Sequence, residues 1–394
     1  MRYIRYKKEK QQINFLNCNQ ANKWIDTCQS REREFVDVCD GGCECNDRHY
    51  LDIEGRLLLE HNNNLKYQIN NISFTSKTSP LATTLEELGI SEWTSAYRMF
   101  SGCTNLTSVI SLPSTSAVTN MGGMFRECES LTSVDVSNFD TSNVTNMDTM
   151  FYWCGNLTSL DVSNFDTSNV TSMAYMFCSC NALTSLDVSN FNTSAVTNMG
   201  SMFISCRSLT SLDVSNFDTS KVTDMGHMFD NCSGLTSLDV SNFNTSNVTN
   251  MRAMFQGCTG LTSLDVSNFD TSNVTEMSAM FNQCKSLTLL DVINFDTSNV
   301  TEMWAMFNNC SGLTSLDLSS FDTSKVTNMG SMFQGCTNLT SLDLSGWDTS
   351  KVTNMEYMFN NCYLLKTIYM RGCNSNTISK IENALTNKNV TIIT

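Results

Sequence analysis

The strongest constraint on the fold is a repeat of 26 residues that runs through most of the chain. Each copy carries a Met-Phe pair followed three residues later by a cysteine, as in Met150-Phe151 before Cys154. A unit of this size cannot bury its apolar side chains alone, so stacked copies are expected to share one core. The repeat cysteines are Cys103, Cys128, Cys154, Cys180, Cys206, Cys232, Cys258, Cys284, Cys310, Cys336 and Cys362.

Each copy contains two apolar patterns, shown well by the copy that spans Leu157 to Cys180. In its first half, Leu160 and Val162 alternate with Asp161, which is the period of a β-strand. In its second half the valine, methionine and Met-Phe positions step by three and four, which is typical of a short helix or helical turn with one buried side. We therefore expect an α/β solenoid, with the methionines and phenylalanines in its core.

The repeat resembles a known family. The phrase LTSLDVSNFDTSNVTNM, followed by MF-x-x-C, is similar to the BspA-like subgroup of leucine-rich repeat surface proteins. It recurs about eleven times between roughly Leu85 and Met370. The resemblance implies a right-handed leucine-rich-repeat coil with a parallel β-sheet on one face. Where that repeat usually has an asparagine, this sequence places Phe139, Phe165, Phe191 and their equivalents, with Trp347 once.

The pattern divides the chain into three segments. Residues 81–370 form the repeat solenoid, and residues 371–394 form a C-terminal cap, because capping units depart from the repeat. Residues 1–80 lack the repeat and are expected to form a small α+β accessory domain that anchors the array. The elements expected in the flanks are a hairpin of His49–Ile53 with Arg56–Leu59, a strand over Leu65–Thr75, a helix carrying Ile378, Ile381 and Leu385, and a last strand over Val390–Thr394.

The cysteines are expected to be structural. In a parallel stack the repeat thiols point the same way, which is poor geometry for disulfides, and free cysteine is a common buried residue. We therefore predict a buried, reduced column. Near the N-terminus, Cys39, Cys43, Cys45 and His49 are weak candidates for a zinc site, because their spacing lacks the paired C-x-x-C of a zinc ribbon. No metal site is predicted.

An aspartate follows the inner leucine of almost every copy. The outward position of the strand pattern places these carboxylates in one column, and they are candidate ligand-binding residues. The favoured interpretation is that neighbouring hydroxyl groups satisfy the hydrogen bonding of these carboxylates. The alternative is a row of calcium sites, since hard cations bind carboxylate oxygens. No cofactor is predicted. The column comprises Asp135, Asp161, Asp187, Asp213, Asp239, Asp265, Asp291, Asp317 and Asp343.

Differences between copies concentrate in the two-residue gaps of the second half, which are expected to lie on the outer face. Aromatic residues in and beside these gaps are further candidate ligand contacts, because exposed aromatic side chains often anchor interfaces. Aromatic packing between neighbouring turns is an equal alternative. These candidates are Tyr152, Trp153, Tyr175, Trp304 and Tyr357.

Catalysis is poorly supported by the sequence. Only three histidines are present, and neither a Ser-His-Asp arrangement, a phosphate loop nor H-E-x-x-H occurs. A net charge of -15 argues against binding of duplex nucleic acid. No apolar run is long enough for a membrane span, and the first residues do not read as a secretory signal. We therefore expect neither an enzyme, nor a nucleic-acid partner, nor membrane insertion.

The expected function is binding over an extended repeat surface. The family resemblance implies an adhesin at the cell surface whose partner is a protein or glycan on another surface. One alternative is a virion-associated protein, such as a phage appendage, attached through residues 1–80, which could also mediate oligomerisation. The other alternative is an intracellular interaction scaffold, which would place the protein in the cytoplasm.

Overall fold

The computed structural model describes residues 95–104, 106–109, 115–386 and 389–394, together with five short strands between residues 2 and 60. The chain divides into two compact units, Met1–Asp166 and Thr167–Thr394. The boundary between them lies inside the repeat array. The domain boundary predicted near residue 80 lies outside the described residues.

The N-terminal unit contains an antiparallel sheet of five strands in the order β2-β1-β3-β4-β5. The predicted hairpin is confirmed: β4 and β5 pair antiparallel, with Leu51 opposite Leu57. The strand predicted over Leu65–Thr75 lies outside the described residues. The five strands are β1 (Arg2–Arg5), β2 (Gln12–Phe15), β3 (Phe35–Val36), β4 (Arg48–Leu51) and β5 (Leu57–Glu60).

The first half of each repeat pairs as a β-strand only in some coils. In the N-terminal unit, β6 (Ser108–Val109) and β7 (Ser133–Val134) pair in parallel. In the C-terminal unit a parallel sheet has the order β11-β10-β9-β8. These four strands are β8 (Ser315–Asp317), β9 (Ser341–Asp343), β10 (Thr367–Tyr369) and β11 (Thr391–Ile393).

In the preceding coils of the C-terminal unit the predicted strand segment shows the alternating burial of a strand but forms no strand pairing. Leu186 and Val188 are buried on either side of exposed Asp187, although the segment is not paired as a strand. Asn216 Nδ2 donates to the carbonyl of Phe191, one coil earlier, at 2.8 Å, so a side chain joins these two coils at the turn after the segment.

The second half of each repeat is a series of turns, so the predicted helix is wrong, while the predicted turn with one buried side is confirmed. Tyr175 and Ser179 have φ values of 58° and 60°, in the left-handed region, which interrupts any helix. Their amides donate to the next coil, from Tyr175 to Gly200 O at 3.0 Å and from Ser179 to Ile204 O at 2.7 Å. These bonds offset the cost of the left-handed conformation.

Parallel bridges connect the turn halves of successive coils. Each bridge involves one residue per coil, directly before the first methionine of the M-x-x-M-F segment or, at Ser95, before the alanine that replaces it. In the N-terminal unit Asn120 bridges both Ser95 and Asn146. In the C-terminal unit the series runs through Ser172, Asn198, Asp224, Asn250, Glu276, Glu302, Asn328 and Asn354.

The core consists of columns of identical side chains, as the repeat predicts. In the C-terminal unit the phenylalanines of the Met-Phe pairs stack with ring centroids 5.7 to 5.9 Å apart. The methionines before them are fully buried, as are the repeat valines and the first leucine of most copies. The stacked rings are Phe177, Phe203, Phe229, Phe255, Phe281, Phe307, Phe333 and Phe359.

The final coil is covered by helix α1 (Ser375–Ala384) and strand β11, so both elements predicted in this segment are present. The Asn374 side chain caps the helix by accepting from the amide of Thr377 at 2.8 Å. Lys380 Nζ donates to the carbonyls of Thr349 and Val352 at 2.7 and 3.1 Å. The helix thereby satisfies backbone groups that a further coil would otherwise bond. None of the helices in the described part of the chain has the length and apolar character of a membrane span.

Candidate ligand-binding surface

The nine aspartates of the predicted column lie on the surface and cap the turns that follow them. Each accepts a hydrogen bond at Oδ1 from the backbone amide two residues later, for example Asp213 from Ser215 at 2.9 Å. Asp135 and Asp161 do so in the N-terminal unit. The members in the C-terminal unit are Asp187, Asp213, Asp239, Asp265, Asp291, Asp317 and Asp343.

Hydrogen bonds from serine favour the charged form of several of these carboxylates. The pKa of Asp213 and of Asp265 is lowered, first by the hydroxyl of the serine two residues later and then by its amide. The pKa of Asp239 is lowered in the same way, while the charges of the two flanking aspartates act in the opposite direction. Asp213, Asp239 and Asp265 are therefore charged neighbours that repel one another, and this part of the column favours positively charged ligands.

A second column of short acidic or amide side chains shows that the turn does not require the charge. Asp218 accepts from the amide of Ser220 at 2.9 Å, and Asn192 and Asn244 accept the same bond from Ser194 and Ser246, both at 3.1 Å. Because asparagine supplies the same acceptor oxygen, the carboxylate charge is dispensable for the local fold at this position.

Sequence reasoning missed a buried column of threonines next to this second column. Thr193 and Thr219 are each only 1% exposed. The Thr193 hydroxyl donates to the carbonyl of Asp218 at 2.9 Å, and the Thr219 hydroxyl donates to that of Asn244 at the same distance. A threonine in an Asp-Thr-Ser turn is expected to be exposed. Its recurrence at the same position in each copy was the sequence feature that could have indicated burial.

The candidate aromatic residues of the N-terminal unit pack against their own surroundings. The rings of Tyr152 and Trp153 stack with centroids 5.8 Å apart, and the Arg126 guanidinium lies 5.3 Å from the Tyr152 ring centroid. Trp153 nevertheless remains 48% exposed. The two residues thus combine local packing with an accessible ring.

The candidate aromatic residues of the C-terminal unit lie in separate coils. Tyr175, Trp304 and Tyr357 are all exposed, and all belong to the turn halves of their coils, whereas the aspartate column belongs to the strand halves. Within the C-terminal unit, the two predicted sets therefore lie on different halves of each coil.

The prediction that the variable gaps face outward is wrong for part of them. The second residue of the gap has a left-handed backbone throughout the described coils, but it is buried only where it is small, whereas Tyr175 and Tyr357 in the same conformation are exposed. Ala253, Ala279 and Ala305 are buried and form one apolar cluster. The apolar spacing could not reveal this inward turn, because the expected helix would have exposed both gap residues.

A second feature missed by sequence reasoning is a polar row directly after the Met-Phe pairs. Asp230 is only 3% exposed, and its carboxylate contacts His227 Nδ1 at 2.8 Å. Asn231 Nδ2 donates to it at 2.8 Å, and Gln256 Nε2 donates at 3.1 and 3.2 Å. Gln256 in turn accepts from Asn282 at 3.0 Å. The row connects neighbouring coils through side chains.

The repeat cysteines form the buried column that was predicted. The described cysteines of the chain are free. Cys232 and Cys310 donate their thiol hydrogens to Phe203 O and Phe281 O, both at 3.0 Å, and burial raises the pKa of each thiol to about 12. A protonated buried thiol is a poor nucleophile and a poor metal ligand.

The weak zinc candidates are only partly covered by the structure. Cys39, Cys43 and Cys45 lie outside the described residues. His49 lies in β4, opposite Val36 of β3 and Leu59 of β5. Within the described residues, no three histidine, cysteine or acidic side chains converge as metal ligands would.

Comparison with known proteins identifies one family. Four overlapping stretches of the chain match the sequence model of the family described as Mycoplasma protein of unknown function, DUF285. The matched residues are 69–160, 134–235, 206–290 and 284–390, which together cover well over half of the chain. The overlapping matches follow the tandem repeat. No curated protein matches the chain.

Proposed function

The chain belongs to the family described as Mycoplasma protein of unknown function, DUF285, and from that premise we propose that it is a non-catalytic binding protein whose repeat surface engages a protein or glycan ligand. The observation that supports the proposal is the column of surface aspartates, in which Asp213, Asp239 and Asp265 are exposed and have lowered pKa values. Each aspartate accepts a backbone hydrogen bond at one carboxylate oxygen. Its negative charge remains at the surface, where it can attract a ligand.

The repeat sequence supports the finer form of this proposal. Its resemblance to BspA-like leucine-rich repeat surface proteins favours a right-handed leucine-rich-repeat coil and a role in adhesion at a cell surface. Residues 1–80, which lack the repeat, would then form the segment that anchors the array or joins copies of it. A ligand bound across several coils would meet the same carboxylate at each step, which suits a ligand that is itself extended.

Direct binding to defined ligands tests the proposal. The full chain is immobilised and exposed at physiological salt to a glycan array and to purified extracellular matrix proteins. Serum albumin, another acidic protein, serves as the immobilised control. We expect saturable binding to a small set of panel members that albumin does not bind. Binding to none of them, or equal binding by albumin, would contradict the proposal.

A further inference from the structure

One coil of the C-terminal unit breaks the polar character of the surface that carries the aspartates. We call this surface the aspartate face and define it by the outward residues beside Asp187, Asp213, Asp239, Asp265, Asp291, Asp317 and Asp343. In the coil of Asp291, leucine and isoleucine replace the two serines that flank the aspartate in the neighbouring coils. The replaced positions are Leu289 and Ile293, which correspond to Ser263 and Ser267 before them and to Ser315 and Ser319 after them.

The two apolar side chains point outward and leave the coil unchanged. Leu289 is 71% exposed and Ile293 is 41% exposed, while Leu290 and Val292 between them remain buried. Asp291 Oδ1 accepts from the Ile293 amide at 3.0 Å, the same bond that Asp265 accepts from Ser267 at 3.0 Å. The substitutions therefore alter the surface while the turn below it keeps its geometry.

Carboxylates surround this apolar pair. Asp291 lies between the two side chains in sequence, and Asp265 and Asp317 occupy the same position in the coils before and after it. The Asn294 side chain donates to Ser267 O at 3.1 Å, which joins the first two of these coils. The pKa of Asp265 is lowered by Ser267, so its charge persists at neutral pH.

An apolar pair surrounded by carboxylates favours a partner that carries both apolar and basic side chains. Burial of the apolar pair favours an apolar side chain, and the surrounding carboxylates favour lysine or arginine on either side of it. Arginine and lysine also carry apolar stems that cover exposed leucine and isoleucine. Complementary charge guides the encounter, and the desolvated apolar contact at the centre supplies affinity.

Resting on the proposed function, we propose that Leu289 and Ile293, flanked by Asp265, Asp291 and Asp317, bind a basic protein segment that carries one apolar side chain between its lysines or arginines. The segment lies on the aspartate face, with its apolar residue on the leucine-isoleucine pair. Its basic residues contact the carboxylates of the same coil and of the two neighbouring coils.

Two synthetic peptides of equal charge test this proposal on the full chain. One carries a leucine between two pairs of lysines, and the other carries a serine there. The test variant is the double substitution Leu289→Ser and Ile293→Ser, which restores the residues that neighbouring coils carry and so preserves folding. Affinities are measured by fluorescence anisotropy at physiological salt, where weak long-range attraction is screened.

We expect the natural chain to bind the leucine peptide about tenfold more tightly than the serine peptide, as burial of one apolar side chain predicts. The double variant should bind both peptides equally. Equal binding of the two peptides by the natural chain, or a leucine preference that survives in the variant, would overturn the proposal. If the chain binds glycan or matrix ligands but shows no leucine preference, this inference fails and the proposed function stands. If it binds none of these, both fail.

Discussion

Thr219 donates a hydrogen bond from its buried hydroxyl to the carbonyl oxygen of Asn244, one coil further along the chain, at 2.9 Å. Thr245 repeats the bond toward Asp270 and Thr271 toward Asp296, both at 2.9 Å. A column of buried hydroxyl groups thus joins successive turns of the C-terminal unit. Each hydroxyl satisfies a backbone carbonyl that has no strand partner, which is why the threonine can be buried.

Removal of this hydroxyl should destabilise the protein. Thr219→Val keeps the side-chain shape but leaves the Asn244 carbonyl without that donor, so we expect a loss of about 1–3 kcal/mol in the free energy of unfolding. Thr223→Val is the matched control, because its exposed hydroxyl bonds Thr197 O at 3.3 Å and water can replace it. Urea unfolding followed by circular dichroism measures both. Equal losses in the two variants would show that burial of the hydroxyl is irrelevant.

The turn caps should depend on a strong acceptor oxygen, which an ionised carboxylate and an amide both supply and a protonated carboxyl supplies less well. Asp218→Ala removes the oxygen that accepts from Ser220 and should lower the melting temperature. Asp218→Asn should leave it nearly unchanged, because Asn192 and Asn244 already make the same bond. Scanning calorimetry compares the two variants with the natural chain. A loss in Asp218→Asn as large as that in Asp218→Ala would mean that the charge itself stabilises the turn.

Acid should destabilise the repeat array. The pKa values of Asp213, Asp218 and Asp239 are lowered in the folded protein from an ordinary value of 3.8, chiefly by serine hydroxyl groups. A lowered folded-state pKa means that the unfolded chain binds more protons, so this stability is complete above pH 3.8 and is lost as the pH falls through the lowered values. We expect the urea midpoint to fall mainly below about pH 4.

The control for this pH dependence is a chain in which the same three aspartates are replaced by asparagine. Its turns remain capped, but these groups no longer titrate, so its midpoint should fall less over the same range. An identical fall in both proteins would assign the acid sensitivity to other groups.

The buried thiols should resist alkylation in the native state. With a pKa of about 12, Cys232 and Cys310 carry almost no thiolate at neutral pH, and their side chains are inaccessible. Cys373 is less buried and should be modified before them. Iodoacetamide labelling followed by peptide mass spectrometry resolves each site, with urea-unfolded protein as the fully labelled control. Native labelling of Cys232 or Cys310 as fast as that of Cys373 would contradict the buried column.

Most of the core could be read from the sequence because burial follows directly from the repeat. A side chain that recurs as apolar in every copy, such as Phe203 or Val188, has neighbours of its own kind above and below it. The aspartate column was predictable for the same reason, since Asp187 alternates with buried Leu186 and Val188. Internal repetition therefore gave both the core and the main candidate surface.

The remaining features depend on backbone geometry that spacing does not encode. Steps of three and four suit a helix and a chain of turns equally, so the left-handed conformation of Tyr175 could not be foreseen. Asn216 reads as a surface residue, yet its side-chain amide donates to the Phe191 carbonyl of the coil before it. Ala279 is buried and Tyr175 is exposed although both have the same left-handed backbone, so the size of the side chain decides which gap residues turn inward.

The central claim is that the aspartates of the aspartate face act on a ligand and are not required for folding. The most direct test measures the affinity of the strongest glycan or matrix ligand for the natural chain and for the triple variant Asp213→Asn, Asp239→Asn and Asp265→Asn. We predict an unchanged melting temperature and at least about a tenfold loss of affinity, since three ionic contacts are removed. An unchanged affinity in the folded variant would contradict the claim.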